Sequence, residues 1–244
     1  MTLLVLGINH KTASVDIRGQ LAFVKDTLAD ALDSLLGQSE VDEAVILSTC
    51  NRTEIYAVAQ SPDVVKQWLT DFKTFSLVSL EQYSYCYSDI DAAEHLMTVA
   101  CGLDSMVLGE PEILGQIKTS FAQACLQGAV RQTMSRLFRR VFSIAKSVRT
   151  TTRIGVCPVS VASTVCAYVK DWAALPHNNL SLSKARVLIV GAGDTSQLVA
   201  RYMAQLKPAQ ITLVSRTLGH AREAAEKLGV AVEQWHSLST LLTQ

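Results

Sequence analysis

The sequence predicts an α+β domain followed by the first part of an α/β nucleotide-binding domain of the Rossmann type. Over the first ~150 residues, short apolar runs rich in β-branched residues are mixed with amphipathic helical patterns, which is typical of a small α+β domain. From Lys184 onward the sequence alternates strand, glycine turn, helix, strand and helix, the order of a βαβ unit. The segment GVCP (155–158) is the predicted boundary, giving domains of residues 1–155 and 156–244.

Composition excludes several classes of protein. The chain has 244 residues, 49% hydrophobic and 18% charged, which is ample for a sizeable core. It contains no run near the ~20 apolar residues of a membrane span. The opening MTLLVLGINHK lacks a basic region before its apolar run, so we interpret it as an edge strand and not as a signal peptide. We expect a cytoplasmic protein without a membrane partner.

The six cysteines show neither a CxxC pair nor metal-ligand spacing. The sequence therefore predicts free thiols, with no disulfide framework and no metal site. Cys101, Cys125 and Cys166 fall within apolar helical patterns, and we expect them to be small buried hydrophobic residues. Cys50 differs from these three in its surroundings.

The elements of the first domain follow from periodicity. Strands are predicted at TLLVLGI, AVILST and EIYAVA, and helices at Val24–Leu36, Asp63–Phe72, from about Asp91, and at Ile113–Leu126. A long basic helix is predicted at SRLFRRVFSIAKSVRTTTRIG, with a buried stripe made of Leu137, Val141, Ile144 and Val148. After the boundary, VSVASTVCAYVKDWAAL is a further predicted helix.

The predicted long helix lies in a segment whose charged residues are all basic. Residues 113–170 contain no Asp or Glu, while nine residues are basic: Lys118, Arg131, Arg136, Arg139, Arg140, Lys146, Arg149, Arg153 and Lys170. Arg139, Lys146, Arg149 and Arg153 share one helix face. Such a face is typical of a phosphate-backbone contact, but it is equally typical of a solvated surface paired with acidic residues from elsewhere in the fold.

Cys50 lies in LSTCNRTEIY, between the two predicted strands AVIL and EIYAVA, and so on a turn. Arg52 is two residues away, and we predict that its charge lowers the pKa of the thiol and activates it as a nucleophile. In the alternative interpretation, Cys50 fills space and Asn51, Arg52 and Thr53 only cap the turn.

The glycine loop Gly191-x-Gly193-x-x-Ser196 departs from the dinucleotide fingerprint at its third position. Its context favours a nucleotide site, because it follows the strand RVLIV and precedes a helix whose N–H groups can hold a pyrophosphate. One strand later the acidic residue of NAD sites is replaced by Ser215, Arg216 and Thr217, which suit a 2′-phosphate and predict NADP(H). A thiol nucleophile beside a hydride donor implies thioester chemistry, either reduction of an acyl group to an aldehyde or the reverse.

Five stretches, in order and spacing, closely resemble the glutamyl-tRNA reductases: GINHKTASVDIR, LSTCNRTEIY, HLMTVACGLDSMVLGEPEILGQIK, KSVRTTTRIG and VLIVGAGDTS. The resemblance runs from Met1 to about Thr217 and covers an N-terminal catalytic domain and the first part of an NADPH-binding domain. It implies that the Cys50 thiolate takes the glutamyl group from glutamyl-tRNA(Glu) as a thioester. NADPH then reduces this thioester to glutamate-1-semialdehyde, in the first step of 5-aminolevulinate and tetrapyrrole (porphyrin, haem) biosynthesis.

The resemblance also implies site residues. Cys50 and His95 match catalytic positions. Substrate-binding positions are matched by Thr49, Asn51, Arg52, Ser105, Glu110, Pro111, Glu112 and Gln116. Within this set Arg52 can pair with the substrate's side-chain carboxylate, and Glu110 or Glu112 with its α-ammonium group. Cofactor-binding positions are matched by Gly191, Ala192, Gly193, Asp194, Thr195, Ser196, Ser215, Arg216 and Thr217.

Some features depart from the family pattern. Ser14 stands where proline is common, Gly19 where glutamate is common, and Thr151 where RTET has glutamate. The family continues beyond the position of Gln244 into the rest of the nucleotide domain and a helical dimerisation domain. The resemblance thus implies an incomplete Rossmann-type domain that binds NADPH weakly, a homodimeric family whose dimerisation domain is absent here, and channelling of the aldehyde to glutamate-1-semialdehyde aminomutase.

Two other functions remain open from the residues alone. One is an NADP-dependent dehydrogenase of acyl thioesters or aldehydes that uses Cys50 without RNA. The other is a non-catalytic regulator that binds NADP or tRNA. Neutralising the basic helix face separates the first from the tRNA enzyme, and Cys50→Ser separates the second from both enzymes.

Overall fold

The computed structural model describes residues 1–152, 154, 161–178 and 180–243. The chain divides into two compact units, residues 1–158 and 159–244. The predicted boundary at residues 155–158 lies outside the described residues. None of the helices among the described residues combines the length and the apolarity that a membrane crossing requires.

The first unit is built on an antiparallel sheet with the strand order β2-β3-β1-β4. Its strands are β1 Thr2–Asn9, β2 Val41–Ser48, β3 Arg52–Ala59 and β4 Tyr85–Ser88. The prediction that the N-terminal strand lies at an edge is wrong, because β1 pairs with β3 on one side and β4 on the other. Its last six residues are all buried, as a near-continuous apolar run in a central strand requires.

Helices cover this sheet and enclose one apolar core. They are α1 Val15–Leu21, α2 Leu28–Leu36, α3 Pro62–Lys73, α4 Leu77–Tyr83, α5 Asp89–Ala100, α6 Glu112–Leu126 and α7 Gln132–Thr151. A 3₁₀ turn at Lys25–Thr27 precedes α2. The α+β prediction for this part of the chain is confirmed.

The N-terminus of α7 is capped from the sheet. The buried Glu43 on β2 accepts backbone N–H bonds from Arg131 at 2.6 Å, Thr133 at 3.0 Å and Met134 at 3.0 Å. A carboxylate at this end also complements the helix dipole. One acidic side chain thereby fixes the start of the basic helix on the sheet.

The buried stripe of α7 differs from the prediction. Met134, Phe138, Val141 and Ala145 are buried, whereas Leu137, Ile144 and Val148 only flank them. Of the predicted basic face, Arg149 is half-buried and Arg153 lies outside the described residues. The exposed cations of α7 are Arg136, Arg139, Arg140 and Lys146. None of these four belongs to an ion pair within the described part of the chain, so this structure gives them no acidic partners.

The second unit begins with α8 Val161–Ala173 and contains the parallel sheet β5-β6-β7. Its other strands and α-helices are β5 Arg186–Val190, α9 Asp194–Gln205, β6 Gln210–Ser215, α10 Leu218–Leu228, β7 Ala231–Gln234 and α11 Leu238–Leu241. The alternation of parallel strands and helices confirms the predicted start of a Rossmann-type domain.

The cysteines of the described residues are free thiols, as predicted. Cys101 and Cys166 are buried, which confirms their prediction as small hydrophobic residues. The same prediction is wrong for Cys125, which is exposed. It lies on α6 beside the buried Ala124, so its position faces away from the core by about 100° of helix rotation.

Candidate active site

Cys50 is exposed in the turn between β2 and β3, as the sequence predicts. The Thr49 N–H donates to the Arg52 carbonyl at 2.8 Å, which closes the turn. The Thr49 hydroxyl accepts the backbone N–H groups of Arg52 at 3.1 Å and Asn51 at 3.2 Å. Thr49 therefore holds the turn in place while the thiol side chain stays available to a reactant.

The neighbouring strand β3 carries a buried carboxylate. Glu54 is 0% exposed, and its Oε1 accepts from Arg52 Nη1 at 2.7 Å, Tyr85 Oη at 2.5 Å and His95 Nε2 at 2.8 Å. Its Oε2 accepts from Tyr56 Oη at 2.6 Å. Burial disfavours the charged form, but the His95 hydrogen bond and the Arg52 charge outweigh it and lower the pKa of Glu54 to about 2.

His95 on α5 is oriented by this carboxylate. Because an ionised carboxylate only accepts hydrogen bonds, the Nε2 of His95 carries the hydrogen. In the neutral ring, Nδ1 is then the nitrogen that can accept a proton. The ring centroids of Tyr85 and Tyr87 lie 5.2 and 5.1 Å from the centroid of the imidazole ring, and the two rings restrict its position. The predicted acid–base residue therefore has a fixed tautomer.

Tyr85 reaches Glu54 across β1 because residue 7 is a glycine. Gly7 pairs with Tyr85 in the sheet. A Cβ on Gly7 would lie 2.6 to 2.8 Å from three atoms of the tyrosine ring and hydroxyl, which is closer than real Cβ contacts. The phenol thus occupies the space that any other residue at position 7 would fill.

Arg52 is engaged inside the protein. Its side chain is 2% exposed and lies between two carboxylates. Nη1 bonds to Glu54, while Nη2 donates to the Asp104 carbonyl at 2.5 Å and to Asp104 Oδ2 at 3.1 Å. Asp104 also accepts from Lys11 Nζ at 2.5 Å. Arg52 therefore fixes the loop after α5 to the start of β3.

That loop, residues 101–111, carries most of the other predicted substrate positions. Gly102 and Gly109 have φ of 76° and 79°, and the Gly109 N–H donates to the Gly102 carbonyl at 2.9 Å, which closes the loop. Arg149 of α7 donates to the carbonyls of Gly109 at 3.2 Å and Glu110 at 2.6 Å. Ser105, Glu110, Glu112 and Gln116 are half-buried and Pro111 is exposed. Arg149 thus supports a pocket loop and does not project from the basic face.

The predicted effect of Arg52 on the thiol is wrong. Burial raises the pKa of Cys50, and the charges of Glu110 and Glu112 raise it further. A backbone hydrogen bond and, as a smaller effect, the charge of Arg18 on α1 lower this pKa, while Arg52 is held by Glu54 and Asp104. Cys50 therefore lies within the electrostatic reach of one cation and two carboxylates.

Removing the Glu110 charge should make Cys50 more reactive. A raised pKa leaves less thiolate at any given pH, so the rate of Cys50 alkylation by iodoacetamide should still rise with pH above the thiol's ordinary range near 9.0. In Glu110→Gln this profile should shift to lower pH, with a rate at pH 8 about two- to fivefold above wild type. Peptide mass spectrometry measures the rate, and Glu94→Gln, at an exposed position of α5, is the control. An unchanged profile in Glu110→Gln would show that this carboxylate does not act on the thiol.

In the second unit, the predicted cofactor residues come together at one edge of the parallel sheet. Val190 pairs with Val214, so the loop from Gly191 to Ser196 lies beside Ser215–Thr217. Gly191 has φ of 117°, and a Cβ there would lie 2.9 Å from Ser196 Oγ. Gly193 is the N-cap of α9, and a Cβ built on it has no neighbour within 4 Å. Asp194 and Thr195 open the helix, and Arg216 and Thr217 are exposed.

Five residues that contact one another or act on Cys50 in the first site were not predicted: Arg18, Glu54, Tyr56, Tyr85 and Asp104. For Glu54 a signal was available, because a carboxylate inside the otherwise apolar strand EIYAVA must be paired when that strand is buried. Arg52, Glu54 and Tyr56 alternate along β3 and so point to one face. Tyr85 and Asp104 come from distant segments, and their contacts depend on the sheet order and on the loop after α5.

Known proteins resemble both units. The family described as Glutamyl-tRNAGlu reductase, N-terminal domain, matches residues 6–152, and Shikimate / quinate 5-dehydrogenase matches residues 174–244. A glutamyl-tRNA reductase of Pseudoalteromonas translucida is 46% identical over 230 residues, which cover 93% of this chain and 54% of that protein. One from Idiomarina loihiensis is 44% identical over 245 residues, covering 100% of this chain and 56% of that protein.

A solved structure agrees with these matches. The glutamyl-tRNA reductase from Methanopyrus kandleri has a TM-score of 0.60 at 29% identity, covering 97% of this chain and 55% of that one. The chain spans about half the length of the curated relatives it matches. The family model covers more than half of the chain and includes the Cys50 turn, Glu54, His95 and the pocket loop. The resemblance seen in the sequence is thereby confirmed, and the chain belongs to the glutamyl-tRNA reductase family.

Proposed function

We propose that this chain carries the catalytic part of an NADPH-dependent reductase of glutamyl-tRNA(Glu), the enzyme that produces glutamate-1-semialdehyde for tetrapyrrole synthesis. The observation that carries the proposal is the exposed Cys50 on a turn fixed by Thr49, within the electrostatic reach of Glu110, Glu112 and Arg18. An aminoacyl ester is a reactive acyl donor, and a thiolate is the protein nucleophile suited to accept it.

In the proposed first step, the Cys50 thiolate attacks the ester carbonyl of the glutamyl group. The carbon–oxygen bond to the 3′ end of the tRNA breaks, and the tRNA hydroxyl leaves with one proton. The glutamyl group remains as a thioester on sulfur. We propose that His95, with its tautomer fixed by Glu54, moves the proton, and that Glu110 or Glu112 binds the α-ammonium group. We further propose that Thr49, Asn51, Arg52, Ser105, Pro111 and Gln116 shape the pocket.

The second unit fits a dinucleotide. Gly193 faces open space at the start of the 12-residue helix α9, where a pyrophosphate can bind, and Arg216 with Ser215 and Thr217 suits a 2′-phosphate. We propose that Gly191–Ser196 and Ser215–Thr217 hold NADPH. When bound, NADPH supplies the hydride that converts an acyl thioester to an aldehyde, releasing the Cys50 thiolate.

The experiment that tests the proposed function omits NADPH. After the protein is mixed with glutamyl-tRNA, intact-mass analysis should show a glutamyl adduct, and hydroxylamine should remove it because thioesters are cleaved by this reagent. Peptide mapping should place the adduct on Cys50. If the tRNA ester stays intact and bound, the chain is a binding protein and not an acyl-transfer enzyme.

The exposed cations of α7, Arg136, Arg139, Arg140 and Lys146, favour tRNA as the carrier of the substrate. Changing all four to glutamine should weaken tRNA binding by about 10²- to 10⁴-fold at moderate salt and flatten its dependence on salt concentration. Filter binding at salt concentrations from 50 to 300 mM, a range around the physiological ionic strength of about 150 mM, measures the affinity and its salt dependence. Lys207→Gln and Lys227→Gln in the second unit are controls. If wild type binds no tRNA even at 50 mM salt, a dehydrogenase that uses no RNA is favoured; if the fourfold variant binds tRNA as wild type does, these cations do not contact it.

From the family resemblance alone, we also propose a homodimer formed by the complete reductase and transfer of the aldehyde to glutamate-1-semialdehyde aminomutase. The domain limits of 1–155 and 156–244 remain a proposal that rests on the GVCP segment at residues 155–158.

A further inference from the structure

Attack on the glutamyl carbonyl places negative charge on its oxygen. When sulfur adds, one electron pair of the C=O bond moves to the oxygen, and it returns when the bond to the tRNA breaks. The same oxygen takes up charge again when the thioester is reduced. Glu110 and Glu112 act on Cys50 with charges of the same sign and so oppose this charge. The site therefore needs a hydrogen-bond donor for this oxygen.

Backbone N–H groups beside the nucleophile often supply such donors, but in the Cys50 turn they are already engaged. Asn51 and Arg52 donate to the Thr49 hydroxyl at 3.2 and 3.1 Å, and the Thr49 N–H donates to the Arg52 carbonyl at 2.8 Å. Burial raises the pKa of the Cys50 thiol, and a hydrogen bond from the backbone N–H of Cys50 offsets part of this effect. Within residues 49–52, all of them described, each backbone N–H thus has a partner, and the donor must be a side chain.

The imidazole of His10 is available for this role. The residue is half-buried, and its Nδ1 is buried without a hydrogen-bond partner. Its Nε2 also has no partner within the described part of the chain, but this nitrogen is not buried. A polar ring that makes no bond inside the protein can offer one to a reactant.

Strand β1 carries His10 to the end of the sheet where Cys50 lies. The last residue of β1, Asn9, pairs with Arg52, and Cys50 is two residues before Arg52. His10 follows Asn9 directly, in a turn that two N–H bonds to the Asn9 carbonyl close at 3.1 and 3.0 Å. The charge of Arg18 acts on both His10 and Cys50, which is consistent with two neighbouring side chains.

The surroundings of His10 keep its ring neutral. Burial lowers the pKa of His10 from its ordinary value of 6.5, and the charges of Arg52, Lys11 and Arg18 lower it further. Asp104 opposes this shift. In the neutral ring one nitrogen carries the hydrogen and the other a lone pair. These cations stabilise a lone pair at the buried Nδ1, whereas an N–H there would be a buried donor without an acceptor. The hydrogen is thereby assigned to Nε2.

We propose that His10 is a catalytic residue whose Nε2–H donates a hydrogen bond to the oxyanion that forms on the glutamyl carbonyl at Cys50. This inference rests on the proposed function and adds a group that stabilises charge to the nucleophile and the proton carrier. His95 suits a different role, because its Nε2–H is bonded to Glu54 at 2.8 Å and its Nδ1 presents a lone pair. His10 loses no proton in this step, since its ring stays neutral throughout.

The first test needs no tRNA. Trifluoroethyl acetate acetylates a thiolate through a charged tetrahedral intermediate, whereas iodoacetamide alkylates the same thiolate by direct displacement, which forms no oxyanion. The ratio of the two rates at Cys50 does not depend on the fraction of thiolate. His10→Ala should lower this ratio about tenfold or more, because the donor is lost. Peptide mass spectrometry measures both rates, and the exposed Cys125 is an internal control.

Two further variants separate the donor from the shape of the side chain. His10→Gln carries an amide N–H close to the position of Nε2 and should keep the ratio within about threefold of wild type. His10→Asn carries its amide near Nδ1 and should be as low as His10→Ala. His220→Ala, at an exposed position of α10, is the matched control. Equal losses in all three His10 variants would assign the residue a structural role, and recovery in His10→Asn alone would assign the donor to Nδ1. Either result would overturn the proposal.

The second test uses glutamyl-tRNA without NADPH. At saturating tRNA, His10→Ala should form the glutamyl adduct about 10²-fold more slowly than wild type, with a tRNA affinity within about twofold. A loss confined to tRNA affinity would contradict a role at the oxyanion.

The two tests distinguish failure of this inference from failure of the proposed function. If wild type forms no glutamyl adduct but the ratio of reagent rates falls in His10→Ala, acyl transfer from tRNA fails while His10 remains an oxyanion donor beside the thiol. If wild type forms the adduct and the ratio is unchanged in His10→Ala, the assignment of His10 is wrong and the proposed function stands.

Discussion

Replacing Cys50 with serine is expected to slow formation of the glutamyl adduct and NADPH-dependent reduction of glutamyl-tRNA at least about a thousandfold. Serine has nearly the same size but remains protonated at every working pH. The described residues place no hydrogen-bonded base on the side chain of residue 50 that could activate a hydroxyl, because the partners of the turn are backbone groups and Thr49. Single-turnover assays with and without NADPH measure the two steps.

The matched control is Cys125→Ser, which changes an exposed thiol on α6 outside the proposed site. It should leave both steps within about twofold of wild type. Binding of the tRNA should survive in Cys50→Ser, since the exposed cations of α7 are unchanged. If Cys50→Ser retains the adduct, another group is the nucleophile and the proposed mechanism is wrong.

The second large effect concerns Glu54. Glu54→Gln should lower the unfolding free energy of the first unit by about 3 to 5 kcal/mol, because it leaves the Arg52 charge with only Asp104 in a buried site. Trp68 is buried in this unit and reports its unfolding by fluorescence once Trp172 and Trp235 are changed to phenylalanine. Glu94→Gln, an exposed change of the same chemistry on α5, should cost less than about 0.5 kcal/mol. A loss for Glu54→Gln as small as that control would mean that the cluster contributes no net stability.

The same carboxylate predicts a pH dependence. The folded-state pKa of Glu54 is lowered from 4.5 to about 2, so the stabilisation is fully present above pH about 4.5 and is lost as the pH falls toward about 2. Wild type should therefore lose more stability than Glu54→Gln over this interval. Parallel curves for the two proteins would contradict the assignment.

The sequence predicted the fold well where local patterns decide it. Strand β3, the longer helices of the first unit and the parallel start of the second unit each have a clear period and clear ends. The short elements α1, α4 and β4 were not predicted, because four to seven residues are too few to show a period. The position of β1 in the sheet was not predictable in this way, since strand order depends on which distant strands pair. The stripe of α7 was misplaced because Leu137 and Phe138 are adjacent apolar residues, and only packing decides which of them faces the core.

The candidate site shows the same limit. The Cys50 turn and His95 were identified from sequence, Cys50 by its place between two strands and His95 by family resemblance. The electrostatic roles of the two arginines were not, because residues close in sequence were assumed to interact. Arg52 is two positions from Cys50 yet bonds to Glu54 and Asp104, whereas Arg18 is more remote in sequence and influences the thiol.

The missing side chain of Gly7 affects how the results of mutagenesis at this position should be interpreted. Its missing side chain gives Tyr85 the room to reach Glu54, so valine at this position should displace the phenol and disturb His95. In a saturation library selected for activity, position 7 should therefore tolerate substitution as poorly as a position that contacts the reacting atoms. Intolerance at such a position reports a volume that must stay empty for a neighbour, and it is not evidence that the residue meets the substrate.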